Sequence, residues 1–564
     1  MIGVANFEHI SEEVCKELEA IVGPDHITTD PTYSLALVGQ GCVREVLFFH
    51  GINQPAACIV MPANTEEVAA IVKVCNRYNI PYVPMSQHTV ANASPSFRQD
   101  AVEIDLRRMN QMWIDTKNMF AVLEAGVTYF QLQSEILKRD MTSVSPGGGG
   151  VVSVVINAFH QGQGHLNYRI TPVSQRRLNG VEWVSPEGEI YRMGSLMDGD
   201  ENGYWQDGLG PNTIGLLKGS SWWVGGMGIF TKVSTKLYPF QPDELKPDGI
   251  GPNTVVVLPP RVKWQNITFP TREAMLKAAK EISRAQIGAA LNCVPPYWRG
   301  IAKARGTHDF RNTFWEDWAR TTPEEVAKTH IMRVLMIGRT SPEQMDYEER
   351  VLADIVNECG GTLRRTPPTD EASFMYANTA DMWMPSGAFG LTDAGSESSR
   401  CTQYSIREFS RRLAASPHKS DQFDQKGCLA WFCVWNLGRI QYMEEHGFPD
   451  PKKTDPEDPR FDPELDTRFT FIWQLSEGQT INVRCGCQSI FDAQIHSTKF
   501  FGPVKQNYPV WIGKFKKEFD PKGICGCGWP YVIEMALEAA PPVFTEECQE
   551  TVKQIAARPW QGNR

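Results

Sequence analysis

The sequence predicts an α+β protein, and three observations carry that expectation. Short strands and helices alternate through roughly the first 240 residues, with glycine-rich turns between them. A stretch dense in proline and glycine, FQPDELKPDGIGPNTVVVLPP from Phe240, reads as a boundary. Beyond it, a helical run (REAMLKAAKEISRAQI) mixes with strand-like runs (HIMRVLMIG and CLAWFCVWNLG) up to about residue 500. A chain of 564 residues, 41% of them hydrophobic, can bury a large core in two or more domains.

The first elements follow from local signals. Cys58-Ile59-Val60-Met61 is short, partly β-branched and bounded by Pro55 and Pro62, as a buried strand should be. Asn64 and Glu67 have the spacing of a capping box. Val68, Ile71, Val72 and Cys75 then recur at i, i+3, i+4 and i+7, giving a helix with one apolar face. Asn79 and Pro81 end that helix, and Tyr82-Val83 opens a second strand running into Met85-Ser86-Gln87-His88-Thr89. A strand emptying into such a loop is a common place for a phosphate in α/β proteins.

Further along, VEIDLRRM (102–109) alternates as a half-buried strand would. Residues 120–140 read as a strand, a turn at Gly126 and a helix. GVEWVSPEGEIYRMG (180–194) has a hairpin pattern, with Ser185-Pro186-Glu187-Gly188 at its turn. MGIFTKVSTKLYPF (227–240) alternates apolar and polar positions and stops at Pro239. FPDPKKTDPEDPRFDPELD (448–466) reads as a solvated loop, and VWIGKFKKEFDPKGI as an amphipathic helix followed by a turn.

A formal net charge of −10, spread along the chain, argues against nucleic acid or an anionic membrane as the main partner. The amino-terminal residues show no basic-then-apolar signal, and no apolar run approaches the roughly 20 residues of a membrane span. The expectation is a soluble, cytoplasmic protein. Its 14 cysteines are then mostly free thiols. With 16 Trp, 27 Phe and 15 Tyr, aromatic-lined pockets are easily built.

Four blocks carry chemistry, in chain order. The first is the strand–helix–strand unit of residues 55–89. The second, SPGGGGVVSVVINAFHQGQGHLNYR (145–169), has four consecutive glycines, ending at Gly149 and Gly150, that let backbone approach a ligand closely, followed by Ser153, Asn157, Gly162 and Gly164 in the order S-V-V-x-N-A-x-x-x-G-x-G. The third, DGLGPNTIGLLKGSSWWVGGMGIFTKVSTKLYP, contains Gly210-Pro211, Gly215-Leu216, Gly228-Ile229 and Thr231-Lys232. The fourth is the turn at Asp520-Pro521 and Gly523-Ile524.

In this order the blocks resemble the FAD-linked oxidoreductases of the vanillyl-alcohol oxidase and p-cresol methylhydroxylase (PCMH) family. The resemblance implies a two-subdomain PCMH-type FAD-binding domain over residues 1–245. It implies an antiparallel-sheet cap (substrate) domain over 246–500, and a segment, 501–564, returning to the FAD domain. Met85, Ser86, Gln87, His88 and Thr89 would hold the pyrophosphate of FAD. The glycine block and Gly228-Ile229 would cradle the flavin.

Departures from the family pattern bear on mechanism. The loop after Met85 lacks the family's glycines, and His88 invites a covalent link to the flavin. Ser145-Pro146 stands where an acidic base is expected, which makes His160 and His165 replacement candidates. Arg484 matches the arginine of a phenolate-binding Tyr-Arg pair, with Val483 in place of the tyrosine; a structural ion pair is the other reading of Arg484. Cys485, Cys487, Cys525 and Cys527 form two Cys-Gly-Cys triplets, weak metal candidates whose simplest reading is free thiols. The H-x-G-D-G-N-x-H metal motif of the hydroxy-acid branch is missing, and Glu444 and His446 do not replace it.

The leading expectation is hydride transfer from a 4-substituted phenol or benzylic alcohol to flavin N5. The alternatives are a non-catalytic or regulatory subunit paired with an active homologue, and a 2-hydroxy-acid dehydrogenase. Expected partners are the small-molecule substrate and an electron-acceptor protein, in a homo- or hetero-oligomer.

Overall fold

The structure is a computed structural model. It describes residues 10–37, 55–87, 100–144, 150, 152–159, 178–195, 203–208, 217, 226–240, 246–248, 255–257, 260–293, 330–364, 391–397, 431–435, 440–447, 488–489, 508–526 and 542–557. Residues 312, 316, 320, 322, 408, 438, 457, 459, 480, 481, 483 and 484 are also described.

The amino-terminal region opens with α1 (Glu12–Val22), β1 (Ile27–Thr28), β2 (Cys58–Val60), α2 (Thr65–Tyr78), β3 (Tyr82–Met85) and β4 (Val102–Asp105). The start of α2 is set as the residue spacing predicts: Asn64 Oδ1 accepts from the Glu67 amide at 2.8 Å. The reciprocal bond is displaced by one residue, because Glu67 Oε2 accepts from the Ala63 amide at 2.7 Å rather than from Asn64. Val68, Ile71, Val72 and Cys75 are buried, and α1 packs Val14 and Leu18 against them. Burying each large aliphatic side chain contributes about 1.5–3 kcal/mol. The helix ends at Asn79, whose φ of 55° is left-handed, a conformation asparagine tolerates.

The four strands form one sheet in the order β1-β2-β4-β3, with β4 parallel to both neighbours. Here the structure corrects the expectation for residues 102–109. All four residues of β4 are buried, and Leu106–Arg108 is a 3₁₀ turn. A central parallel strand is covered on both faces, so its Val-Glu-Ile-Asp alternation does not mark a wet side.

A second sheet contains β5 (Met112–Asp115), β6 (Phe120–Glu124), β7 (Leu178–Val184), β8 (Ile190–Met193) and β9 (Ile229–Lys236), in the order β5-β6-β9-β7-β8. Between β6 and β7 run α3 (Tyr129–Leu137) and α4 (Val154–Phe159). The β7–β8 hairpin turns at Ser185–Gly188 as its sequence predicts, with Gly188 at φ +85°. Across the sheet, Glu124, Lys232, Glu182 and Arg192 are register partners on four neighbouring strands, an alternating row of charge. One hydrophobic cluster spans both sheets and takes in Ile524 and Cys525 from the far end of the chain.

Apart from two small antiparallel pairs, Met141–Thr142 with Tyr238–Pro239 and Lys246–Asp248 with Val255–Val257, eight further described strands form a third, antiparallel sheet. They are β10 (Val262–Phe269), β11 (Ala290–Cys293), β12 (His330–Ile337), β13 (Thr362–Arg364), β14 (Leu391–Glu397), β15 (Trp431–Trp435), β16 (Ile440–Gly447) and β17 (Gln488–Ser489). Their order is β13-β10-β12-β11-β15-β16-β14-β17. Helices α5 (Arg272–Ala285) and α6 (Pro342–Glu358) bury their apolar faces on Ile267, Leu291, Met332, Val334 and Phe432. On the opposite face, Trp264, Ala290 and Leu335 pack with Phe240 and with Leu137 of α3. The uncovered face of this sheet is therefore turned toward the first two sheets.

Two helices close the chain: α7 (Tyr508–Phe519) and α8 (Pro542–Ala556). After α7 the chain re-enters the first sheet. Cys525 bridges Tyr82 in parallel, and the Tyr82 amide donates to Ile524 O at 3.0 Å. Buried Lys516 fastens the turn, its Nζ donating to Gly226 O (2.6 Å), Asp520 Oδ2 (2.6 Å) and Cys525 O (2.9 Å). Asp520 in turn accepts from the amides of Ile524 and Cys525.

Candidate functional site

Three backbone segments converge where β3 ends. The Gln87 side chain donates to Gly126 O at 3.0 Å, joining the loop after β3 to the turn between β6 and α3. Ser153 Oγ donates to Ala125 O of the same turn at 2.6 Å, and the Val154 amide to Val127 O at 3.0 Å. Tyr129 at the start of α3 donates its hydroxyl to Asn157 Oδ1 at 3.1 Å, and the Phe130 amide donates to Gly150 O at 2.8 Å. The site stands at the carboxyl end of parallel strands, the usual ligand position in α/β sheets.

Gly126 is fixed by sterics. A Cβ there would stand 2.7–2.8 Å from the carbonyl oxygens of Met109, Arg107 and Leu106. Gly228, at φ +95°, has no room for a side chain beside Trp183 and Val184, and its amide donates to Cys525 Sγ at 3.2 Å. Ile229 is buried in the core at the start of β9.

Glu182 ties the second sheet to the start of α2. Its carboxylate accepts from the Thr65 hydroxyl (2.5 Å), the Thr231 hydroxyl (3.1 Å) and Arg192 Nε (2.7 Å), with Lys232 Nζ 3.3 Å away. Burial alone would raise its pKa. The hydrogen bonds from Thr65 and Arg192 and the Lys232 charge outweigh burial and hold it below the usual carboxylate range. Burial is also the main reason the Cys525 thiol is pushed up, so it is a neutral thiol at physiological pH.

Of the predicted cofactor residues, Met85, Ser86, Gln87, Gly150, Ser153 and Asn157 lie in these converging segments, and Gly228 and Ile229 lie in β9 and the turn before it. His88, Thr89, Gly149, Gly162, Gly164, His160 and His165 fall outside the described residues. Cys485, Cys487 and Cys527 do too, and the described residues contain no group of three or more metal-ligating side chains. Arg484 is paired with Glu547 of α8 at 2.8 Å. The sequence reading missed Thr65, Glu182 and Lys516; the one signal was a glutamate in the middle of a strand of otherwise core-forming residues, GVEWV.

The residues present fit FAD. Ser86, Gln87, Ser153 and Asn157 offer neutral hydrogen-bonding groups, and Gly150 brings backbone without a side chain to the same segments. The comparisons agree. A family model described as an FAD binding domain matches residues 56–194. The chain is 24% identical over 233 residues to a D-lactate dehydrogenase of Archaeoglobus fulgidus, covering 41% of this chain and 46% of that protein. It is 23% identical over 289 residues to the alkyldihydroxyacetonephosphate synthase of Dictyostelium discoideum (49% and 41%). It is 28% identical over 204 residues to the 4-cresol dehydrogenase [hydroxylating] flavoprotein subunit of Pseudomonas putida (35% and 37%). The matched part thus spans less than half the length of each of these relatives. Among solved structures, 4-ethylphenol oxidase from Gulosibacter chungangensis shares the fold, with a TM-score of 0.65 at 19% identity, over 93% of this chain and 99% of that one. Among the described residues no helix is long and apolar enough to cross a membrane. Residues 56–194 thus match an FAD binding domain, the fold is shared with 4-ethylphenol oxidase, and FAD is the cofactor.

Proposed function

We propose that this protein is an FAD-dependent oxidoreductase that takes a hydride from a small substrate held between the flavin-binding sheets and the third sheet. The observation that carries this reading is the convergence of Ser86-Gln87, Ala125-Gly126 and Ser153-Asn157 inside the segment matched by the FAD binding domain. In this reading residues 1–245 and 501–564 carry the flavin, and residues 246–500 cap the substrate.

When bound, FAD supplies a two-electron acceptor at N5. The chain's own residues do the rest. Met85 to Thr89 hold the pyrophosphate, the 149–164 block and Gly228-Ile229 position the ring, and His160 or His165 accepts the substrate proton. Arg484 is a further candidate for orienting an anionic substrate group, in competition with its Glu547 pair.

For substrate, a 4-substituted phenol or benzylic alcohol is the leading class, supported by the likeness to the cresol dehydrogenase subunit and the ethylphenol oxidase fold. A 2-hydroxy acid is the second, supported by the likeness to D-lactate dehydrogenase. The Pseudomonas relative is a subunit, which keeps a partner protein and a non-catalytic pairing role in view. An anaerobic absorbance spectrum tests all of these. Flavin absorbance that bleaches with 4-methylphenol supports the first class, and bleaching with D-lactate the second. A colourless protein that takes up no FAD overturns the enzyme reading.

A further inference from the structure

The third sheet carries a polar row on the face turned toward the flavin-binding sheets. Asn266 of β10, Arg333 of β12 and Asn292 of β11 are register partners, side by side on three adjacent strands. The parallel row two residues along, Trp264, Leu335 and Ala290, packs with Leu137 and Phe240, which fixes the direction this face looks. The intervening residues point the other way: Val334 and Leu291 into the core beneath α5 and α6, and Gln265 to Glu349 of α6.

Asn292 is 1% exposed, yet neither its Oδ1 nor its Nδ2 finds a hydrogen-bond partner among the described residues. A buried carboxamide without partners is costly, and folds retain one where a ligand completes it. Its neighbour in the row is a half-buried guanidinium, a fork of donors suited to a carboxylate or phosphate. Thr268, on the same face, is engaged by Arg364 Nε at 3.2 Å, adding a second guanidinium at the edge of the row.

We propose that Arg333 and Asn292 form an oxyanion-binding site on the cap sheet, which holds a carboxylate or phosphate group of the substrate while its reacting carbon faces the flavin. Asn292 Nδ2 and the Arg333 fork donate to the anion, and Asn292 Oδ1 is left to accept from a substrate hydroxyl. This site rests on the flavin-oxidoreductase reading and, within it, favours a substrate carrying a carboxylate or phosphate over the phenol class.

The test titrates FAD-loaded protein with inorganic phosphate, D-lactate and 4-methylphenol by calorimetry, in the wild type and in Arg333→Gln, Arg333→Lys and Asn292→Leu. At least one of the two anions should bind the wild type: phosphate alone marks a phosphorylated substrate, and D-lactate a carboxylate. Arg333→Gln should weaken that anion about tenfold or more, and Arg333→Lys less. Asn292→Leu should weaken it severalfold with an unchanged or higher Tm, because an apolar isostere removes an unsatisfied amide. Anion affinities equal in all four proteins overturn the proposal, as does an Asn292→Leu protein that loses Tm but keeps its anion affinity. Absence of anion binding in FAD-loaded wild type also overturns it. Failure to take up FAD counts against the flavin reading instead, and anion calorimetry on the same protein still decides the site.

Discussion

Single side chains do two distinct jobs here: some join surfaces and some position them. Glu182 is the clearest joiner, since Thr65, Thr231, Arg192 and Lys232 all address one buried carboxylate. Its folded pKa lies below the usual range, so its stabilisation is present above the unfolded value of about 4.3 and is lost as pH falls through the folded one. Wild-type Tm should therefore drop as pH falls below about 4.3, and Glu182→Gln should flatten that part of the curve. At pH 7 the same variant should lose about 1–3 kcal/mol in denaturant titration. Lys516 is the second joiner. Lys516→Met leaves Asp520 buried without its cation and should cost about 3–5 kcal/mol, read as a lower denaturant midpoint and early proteolysis after residue 500.

Helix α2 shows how far local signals reach. Its cap at Asn64, its apolar face and its left-handed stop at Asn79 were all legible, because each is set by residues within one or two turns. Asn64→Ala should cost about 1 kcal/mol by thermal melting. Strand β4 was misread as half-buried because burial there depends on β2, β3 and the helices above, not on its own alternation. The segments that converge at the end of β3 were legible through glycine, proline and asparagine punctuation. The Asn266-Arg333-Asn292 row was not, because register between strands tens of residues apart leaves no trace in periodicity. Gly126→Ala would push a methyl group against three carbonyls. It should disturb the Gln87 contact and weaken FAD binding severalfold, measured by flavin fluorescence on titration.

On the proposed reading, the flavin site of the molecule as a whole is assembled from segments as far apart as Gln87 and Cys525 and faces the third sheet. A ligand that binds only the folded form stabilises it, by about 2.7 kcal/mol at one hundred times its Kd. FAD added to cofactor-free protein should accordingly raise Tm in a concentration-dependent way. Riboflavin lacks the pyrophosphate that the proposed reading assigns to Ser86 and Gln87, and should raise it far less.

The turn that Lys516 fastens also has a consequence for how the protein comes into being. Lys522 Nζ donates to Asn76 O across 446 residues, and Cys525 completes a core that α2 and β3 begin. At about 5–20 residues per second, roughly 20–90 s separate the emergence of those two segments from the ribosome. During that interval the nascent first sheet has an open edge at Tyr82, a natural target for chaperones. The core around Tyr82 can close only after residue 525 has emerged.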